Sequence, residues 1–569
     1  MDIFARSIMK KIIILSALLL LFTVPVSAFD PRSSNNKVGI HLAVPSDEDI
    51  QKAADLANGN GGKWGYITLV IQENDRNKDK WQQVFNRLRE KRLIPIIRIA
   101  TVPEGPMWRK PSKEDAKEWA SFLSSLNWVT KDRYIVLFNE PNHGQEWGGA
   151  VNPEDYAEVA HSFAKALKEK SGDYFVMLAG LDAAAPAQPP AFEDAANYLS
   201  RIVASKKDLF DFVDGWSSHS YPNPGFAGGP GDRGRNTVAN YEWELSYLNS
   251  LGIEKPLPVF ITETGWPHSN FTPETIGGFL TQTYQQLWFA DERVRAVTPF
   301  VLNYQGEPFL HFSWQKKEST ETYAHYGIVQ GMSKTEGSPE QIEKGIVKLE
   351  LPKELFIEST YMLSIKLENK GQALWDKDEG YKMYVEEGEI PDSFFSDVVS
   401  IAPFEEDEVY LFIKTGSKKT RNKVKIALYK GDKKILDGGQ WEYITGPLPK
   451  LTFRIPRFPK LRKDDKRKYE IQIFDSKEHL VFKKKGSTTK NSEGVLEQVR
   501  NVYPGGRYRI VILSDFYLPR QTHITMKKDV NHASFRPMVP LDFHKDGKFD
   551  LADMISLIRN PKFLLLFIP

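Results

Sequence analysis

The sequence predicts an α/β fold class: a (β/α)8 TIM barrel followed by two β-sandwich domains and a short EF-hand-like segment. Three observations support this prediction. Apolar, β-rich segments alternate with amphipathic segments from about residue 37 to 305. Shorter segments of alternating polarity follow from residue 346, and an acidic loop with a central glycine lies at 542–553. The first two patterns have the residue spacing of the strands and helices they predict, and the third has the spacing of a calcium-binding loop.

The barrel strands are predicted from eight runs that are nearly continuous in apolar residues, as expected for strands covered on both faces. Apolar residues at helical spacing mark the segments between them, such as 79–92 and 153–170. Eight such units over roughly 270 residues match the usual length of this barrel. The alternative is a doubly wound open sheet, but no GxGxxG follows the first strand. The predicted strands span 37–44, 64–71, 93–100, 134–141, 174–182, 210–222, 258–266 and 295–305.

The rest of the chain is predicted to be β-rich. A polar, glycine-bearing linker at 331–345 precedes segments whose polarity alternates with period two, which is typical of antiparallel sandwiches. The predicted domains are a catalytic barrel at 29–335, an Ig-like β-sandwich at 346–450, a second β-sandwich at 451–540 and a calcium-loop segment at 541–569.

Composition limits the classes of partner. The 569 residues include 76 Lys+Arg and 74 Asp+Glu, so the formal net charge of +2 gives no field that would favour nucleic acid. The chain contains no cysteine, which excludes disulfides, thiolate metal sites and a cysteine nucleophile.

The N-terminus resembles a secretory signal. Lys10 and Lys11 precede the apolar run 12–24, and small residues suited to signal-peptidase cleavage lie at 26–28. The alternative is a membrane anchor, but the run is shorter than the ~20 residues that a spanning helix needs. We therefore expect residues 1–28 to be removed, leaving no membrane span and a secreted or cell-surface protein.

Polar side chains follow several predicted strands at the end where the βα loops of a barrel gather. Two of them are carboxylates, Glu140 after strand four and Glu263 at the end of strand seven. A carboxylate at the end of a buried strand is costly unless it is hydrogen-bonded, paired or functional. Two carboxylates facing each other across the barrel mouth are the arrangement that glycoside hydrolysis by double displacement requires. The other polar residues at these ends are Arg98, Asn139, His219 and Tyr221.

These motifs resemble those of the clan A retaining glycoside hydrolases, the group that contains the family 5 cellulases and mannanases. The resemblance covers about residues 35–315 and rests on NEP at 139–141, HSY at 219–221, ETGW at 263–266, and Trp314. It implies that Glu140 is the acid/base and Glu263 the nucleophile.

The resemblance also assigns roles to the neighbouring residues. Asn139 would bind the sugar 2-hydroxyl, His219 and Tyr221 would orient the carboxylates, and Trp314 would stack on a sugar ring. Trp266 is a second aromatic candidate for stacking, with local packing as its alternative role. Arg98 would supply a compensating positive charge, although members of the clan usually place this arginine after strand two rather than on strand three.

A separate motif lies near the C-terminus. Asp542, Asp546, Asp550 and Asp553 occupy positions 1, 5, 9 and 12 of an EF-hand-like loop, and Gly547 occupies position 6. The stretch resembles one half of a dockerin, with His544 at the third position and no second copy. It predicts either a Ca²⁺ site, with a cohesin-like or cell-surface partner, or an acid-rich helix cap.

The predicted function is a secreted glycoside hydrolase that cleaves a β-linked polysaccharide or oligosaccharide with retention and without a catalytic cofactor. The alternative is a catalytically silent, carbohydrate-binding scaffold protein. A metal-dependent hydrolase is disfavoured because the strand ends carry few His/Asp clusters.

Overall fold

The computed structural model describes residues 35–456, 468–488 and 492–567. The predicted signal sequence at 1–28 lies outside these residues. The chain divides into two compact units, with the boundary between Gln341 and Ile342. The four predicted domain ranges are finer than this division and stay predictions.

Unit 1 is a mixed α/β structure built on eight parallel strands. Their burial is nearly complete, which explains why their sequences are continuously apolar rather than alternating. The strands are β1 (Gly39–Leu42), β2 (Gly65–Gln72), β3 (Leu93–Ala100), β4 (Arg133–Leu137), β5 (Tyr174–Leu178), β6 (Trp216–His219), β7 (Val259–Glu263) and β8 (Val294–Val297).

A helix follows each of the eight parallel strands of unit 1, and a short antiparallel pair, Pro103–Glu104 with Met107–Trp108, lies between the third strand and its helix. Several of these helices begin at a side-chain cap, such as Ser46 before α1 and Asn152 before α4, which binds a free backbone N–H of the first turn. The helices are α1 (Asp47–Asn58), α2 (Lys78–Glu90), α3 (Ala116–Ser124), α4 (Pro153–Lys170), α5 (Ala195–Ser205), α6 (Asn240–Ser250), α7 (Pro273–Thr283) and α8 (Ala324–Gly331).

The parallel strands form two sheets. Strands β1 to β5 pair in chain order, and β6, β7 and β8 pair in chain order. Two isolated parallel bridges, Met177 with Gly215 and Val38 with Val297, connect the edge of one sheet to the edge of the other. Chain-order pairing brings the C-terminal ends of all eight strands to one side of the unit. Closure into a barrel stays a prediction.

Several strands are shorter than the sequence predicts. Strand four ends at Leu137 rather than at residue 141, because Phe138 and Glu140 adopt positive φ values of 75° and 28° and so leave the extended conformation. Strand six occupies only Trp216–His219 within the predicted 210–222. Asn139, Glu140, Tyr221 and Trp266 therefore lie in loops, whereas His219 and Glu263 are the last residues of their strands.

The described residues of unit 2 form four β-sheets and two apolar clusters. Its longer strands alternate buried and exposed residues, as in Thr360–Asn369, so each sheet has one face on a core. The strands are β9 (Gly345–Lys348), β10 (Glu354–Phe356), β11 (Thr360–Asn369), β12 (Tyr381–Glu387), β13 (Ser393–Phe395), β14 (Glu406–Lys414), β15 (Arg421–Lys430), β16 (Lys433–Gly446), β17 (Lys450–Arg454), β18 (Lys468–Phe474), β19 (Leu480–Ser487), β20 (Glu493–Leu496), β21 (Arg507–Ser514), β22 (Tyr517–Thr525) and β23 (Val530–Ser534).

The first cluster draws side chains from the sheets β9-β11-β14-β13 and β10-β16-β15-β12. The second draws mainly on β20-β17-β23 and β19-β18-β21-β22. Helix α9 (Leu551–Arg559) follows the last strand. Among the described residues, no helix is both long and apolar enough to cross a membrane.

Candidate active site

The two candidate catalytic carboxylates lie at the C-terminal ends of β4 and β7. Glu263 is the last residue of β7, and Glu140 lies three residues beyond the end of β4. The left-handed conformations of Phe138 and Glu140 turn the chain sharply after β4. Such conformations are unfavourable for side chains that carry a Cβ atom, and they often occur at functional sites.

The carboxylates converge. One oxygen of Glu140, one oxygen of Glu263 and one ring nitrogen of His219 all lie within 4.8 Å of one another. His219 connects the two acids, because its Nδ1 lies 2.7 Å from Glu140 Oε1 and 3.8 Å from Glu263 Oε2. The charges of the three residues therefore influence one another, although Glu140 lies in the loop after β4 and the other two end β6 and β7.

Glu263 is surrounded by hydrogen-bond donors. Arg98 Nη1 donates to its Oε1, and the Tyr221 hydroxyl donates to its Oε2 over 3.0 Å. Burial alone would raise the pKa of Glu263, but the positive charges of His219 and Arg98 outweigh burial and hold that pKa well below its ordinary value. The lowered pKa favours the ionised form of this buried carboxylate.

His219 and Tyr221 have opposite charge preferences. Burial lowers the pKa of His219, but Glu263 and the hydrogen bond to Glu140 raise it more, so the net pKa is raised. Burial and the nearby Glu263 hold the pKa of Tyr221 well above its ordinary value, which keeps the phenol protonated as a donor. His219 contacts Glu140 and Tyr221 contacts Glu263, and the orienting role that the family resemblance implies for them stays a prediction.

Asn139 and Arg98 also form a contact. Arg98 Nη1 donates to Asn139 Oδ1 over 2.7 Å in addition to its bond to Glu263. One guanidinium therefore connects the loop after β4 to the end of β7. The Arg98 side chain is 11% exposed and contacts the carboxylate of Glu263 directly, so the compensating positive charge expected of it lies at that carboxylate.

The predicted stacking role of Trp266 and Trp314 is contradicted. Their side chains are only 4% and 3% exposed, so neither indole has a free face for a sugar ring. Trp266 donates its indole N–H to the Gly228 carbonyl, and Trp314 packs edge-on against His325. Trp266 also packs against Phe279 of α7, and His325 belongs to α8, so both rings are held by packing contacts.

Sequence reasoning missed three residues at this site. His41 at the end of β1 is buried near Arg98 and Glu263, and burial lowers its pKa to about 3, which keeps it neutral. The single histidine within the apolar run GIHLAV could have marked His41 as a candidate site residue. Phe300, just after β8, is half-buried with its ring 5.1 Å from that of His41.

Glu146 is the third missed residue. Burial and the negative charge of Glu140 raise its pKa to about 7. It lies in the short 3₁₀ helix Gly144–Glu146 after Glu140. No motif marks it, because its approach to the catalytic pair depends on the path of that loop.

Glu140, His219 and Glu263 are also the one set of three His, Asp or Glu residues in the described ranges whose ligand atoms lie close enough to hold a metal ion. Carboxylate and imidazole are suitable ligands for several divalent metals. Arg98 already supplies a positive charge to Glu263 at this point, which opposes a second cation there.

The aspartates of the C-terminal loop do not converge in this way. Asp542 accepts from the backbone amides of Asp546 and Gly547, and both carboxylate oxygens of Asp553 accept from the amides of His544 and Asp550. Asp550 caps helix α9. The helix-cap interpretation accounts for these contacts, and Ca²⁺ binding at the loop stays a prediction.

Comparisons with known proteins return structures only. No protein-family model matches the chain, and no curated protein matches it. An endo-β-1,4-glucanase from Xanthomonas axonopodis pv. citri is 10% identical, with a TM-score of 0.37, over 52% of this chain and 97% of that one.

Two further solved structures have similar scores. A glucosidase from Croceicoccus marinus is 11% identical, with a TM-score of 0.37, over 85% of this chain and 97% of that one. A β-mannanase from Thermomonospora fusca is 13% identical, with a TM-score of 0.33, over 52% of this chain and 89% of that one. All three TM-scores are below 0.5.

Proposed function

We propose that this protein is a retaining glycoside hydrolase that acts on a β-linked polysaccharide or oligosaccharide. Its eight parallel strands would close into a (β/α)8 barrel, and the two bridges between the sheet edges support this closure. In such a barrel the loops after the strands form the active site. Glu140 and Glu263 lie at that end.

The observation that carries the proposal is the separation of the two carboxylates. Their nearest oxygens lie within 4.8 Å of each other. Retaining enzymes hold the pair ~5–5.5 Å apart so that one group attacks the sugar directly, whereas inverting enzymes leave ~6.5–9.5 Å for an intervening water. The short separation favours retention.

In the first step, the ionised carboxylate of Glu263 attacks the anomeric carbon and the glycosidic C–O bond breaks. Protonated Glu140 gives its proton to the departing oxygen, and a covalent glycosyl ester forms on Glu263. The low pKa of Glu263 suits this role, because the nucleophile must be ionised before it attacks. Arg98 and Tyr221 hold its two oxygens in place.

In the second step, Glu140 takes a proton from water as that water attacks the anomeric carbon. The ester bond breaks, Glu263 returns to its ionised form, and the sugar leaves with its original anomeric configuration. His219, which contacts Glu140 and lies near Glu263, stabilises the changing charge on the pair.

The first experiment is a screen of the purified protein against β-linked glucans, mannans and xylans, with NMR detection of the first product anomer. We expect hydrolysis and a β-anomer before mutarotation. Glu140→Gln and Glu263→Gln should each lose most activity, whereas Glu254→Gln, an exposed glutamate just before β7, should not. An α-anomer as first product would contradict retention, and full activity of either site variant would contradict its role.

A metal-dependent hydrolase is the second candidate, favoured by the convergence of Glu140, His219 and Glu263. The same screen distinguishes it. Activity that is lost on dialysis against EDTA and restored by a divalent metal would support metal catalysis, whereas activity that survives EDTA would support the carboxylate mechanism. Binding without hydrolysis would instead support the silent scaffold.

Secretion, and attachment to a cell surface or cohesin-like partner through the C-terminal segment, belong to the same proposal. Cleavage after residue 28 would be tested by N-terminal sequencing of protein recovered from the medium.

A further inference from the structure

We propose that Gly180 is a positioning residue that holds the His219 imidazole between the two catalytic glutamates. Gly180 follows β5 and belongs to none of the motifs described above. The expected effect on catalysis rests on the proposed function. The expected effect on the position of the imidazole rests only on the packing of Gly180 against the His219 ring.

The imidazole occupies the space that a side chain at position 180 would need. A Cβ atom built on Gly180 would lie 2.2 Å from His219 Cδ2, 2.7 Å from Nε2 and 2.8 Å from Cγ. These distances are far shorter than any van der Waals contact. Only glycine therefore permits the ring to lie where it does.

No hydrogen bond replaces this support on the same side of the ring. His219 Nε2 is buried and has no hydrogen-bond partner in the described parts of the chain. The other ring nitrogen, Nδ1, contacts Glu140 at 2.7 Å. A functional histidine is commonly oriented by a partner on its second nitrogen. At this site the absence of a side chain on Gly180 instead lets the backbone approach the face of the ring near Cδ2.

The added Cβ atom would lie above the face of the imidazole, close to Cδ2. To relieve this overlap the ring must tilt or shift out of its own plane. Such a movement lengthens or bends the contact between Nδ1 and Glu140, which is 2.7 Å in the structure. Loss of the His219 charge would then raise the pKa of Glu263.

The charge balance around the ring fixes the direction of that effect. Both catalytic glutamates favour the charged imidazolium, and Arg98 opposes it. The titratable or charged groups that act on His219 or are influenced by it are Arg98 on β3, Glu140 after β4, Asp182 after β5, Glu244 on α6, Glu263 on β7 and His41 on β1.

The test compares Gly180→Ala with Gly172→Ala in the full chain. Gly172 precedes β5, and a Cβ atom there would meet nothing within 4 Å, so it is a matched control. We expect Gly180→Ala to lower kcat roughly a hundredfold, as displacement of a catalytic group by about 1 Å can do. The acidic limb of its kcat/KM profile should move to higher pH, a change that a general loss of stability would not cause.

A double-mutant cycle tests whether Gly180 acts through His219. In a His219→Ala background the ring is absent, so the added methyl group should cost little further activity. If the two losses multiply instead, or if the acidic limb of Gly180→Ala matches that of Gly172→Ala, the inference is wrong.

An activity-independent measurement separates this inference from the proposed function. In protein labelled with ¹³C-histidine, the imidazole signal that His219→Ala removes is that of His219. Gly180→Ala should change its position and titration midpoint, and Gly172→Ala should not. An unchanged signal overturns the inference even if the enzyme is active, whereas a changed signal supports the positioning role even if no glycoside is cleaved.

Discussion

Glu263 is buried at the end of β7, where an isolated carboxylate would be protonated or destabilising. Its contacts with Arg98 and Tyr221 and its nearness to His219 reverse that expectation. The ionised state of the nucleophile is therefore a property of its neighbours, and changes to those neighbours should appear in the pH dependence of catalysis.

Arg98→Met should move the acidic limb of kcat/KM to higher pH. In the wild-type protein the pKa of Glu263 is depressed, so the carboxylate stays charged as the pH falls until that low pKa is reached. In Arg98→Met the guanidinium is absent, so the pKa of Glu263 rises and the carboxylate is protonated at a higher pH. Arg98→Lys keeps the charge and should move the limb less. An unmoved limb in Arg98→Met, with the fold intact by circular dichroism, would contradict the assigned role.

Tyr221→Phe should lower kcat by roughly ten- to hundredfold, because a hydrogen bond to a charged group contributes about 1.5–3 kcal/mol. The variant removes only the hydroxyl that donates to Glu263. Tyr384→Phe, on the exposed side of β12 in unit 2, is the matched control and should be fully active. Equal kcat for the two variants would show that the Tyr221 hydroxyl does not serve the nucleophile.

At the residue scale, sequence reasoning found the groups that motifs carry. NEP, HSY and ETGW predicted Asn139, Glu140, His219, Tyr221 and Glu263, and the structure brings these residues together. Trp314 and Trp266 were misassigned because exposure depends on how loops fold over a side chain, which strand patterns do not reveal. Glu146 and Gly180 could not be found. Glu146 approaches Glu140 through the path of the loop they share, and Gly180 contacts His219, which is distant in sequence.

At the element scale, runs of consecutive apolar residues predicted the eight parallel strands of unit 1. Strands that are buried on both faces need apolar residues at nearly every position. Strand ends were predicted less well. The apolar run continues past Leu137, and only the positive φ values at Phe138 and Glu140 end β4. Backbone conformations of this kind depend on tertiary contacts, so a single sequence does not specify them.

Helix α4 follows the loop that carries Glu140 and Glu146, and its start is fixed by the Asn152 side chain, which accepts from Asp155 N. Asn152→Ala should reduce stability by about 0.5–2 kcal/mol through loss of this cap. Thermal melts should show a Tm lower by a few degrees, while Asn152→Asp, which can still cap the helix, should melt near the wild-type temperature. Equal Tm values for both variants would contradict the capping role.

At the scale of the whole molecule, the division at Gln341 and Ile342 places the entire candidate site within unit 1. The residues just before this boundary pack on unit 1: Lys131 N donates to the Glu340 carbonyl over 2.8 Å, and the Gln341 side chain donates to the Val129 carbonyl over 2.9 Å. The predicted barrel ends at residue 335 and does not include these contacts. The segment 331–345 was predicted to be a linker because it is polar, and its sequence does not show that it packs on unit 1.

A protein truncated to residues 29–341 should therefore melt a few degrees above one truncated to 29–335. Loss of several hydrogen bonds, each contributing about 0.5–1.5 kcal/mol, accounts for the difference. Both truncated proteins should cleave the same substrate, because Glu140 and Glu263 are present in each. Identical melting temperatures would show that residues 336–341 do not stabilise unit 1.

Covalent trapping of the nucleophile would identify the residue that attacks the sugar. The full chain would be incubated with a 2-deoxy-2-fluoroglycoside of the sugar it cleaves, digested and mapped by mass spectrometry. A single glycosyl adduct on Glu263, absent from Glu263→Gln and slower to form in Glu140→Gln, is the predicted result. An adduct on another residue, or steady turnover of substrate with no adduct on Glu263, would contradict it.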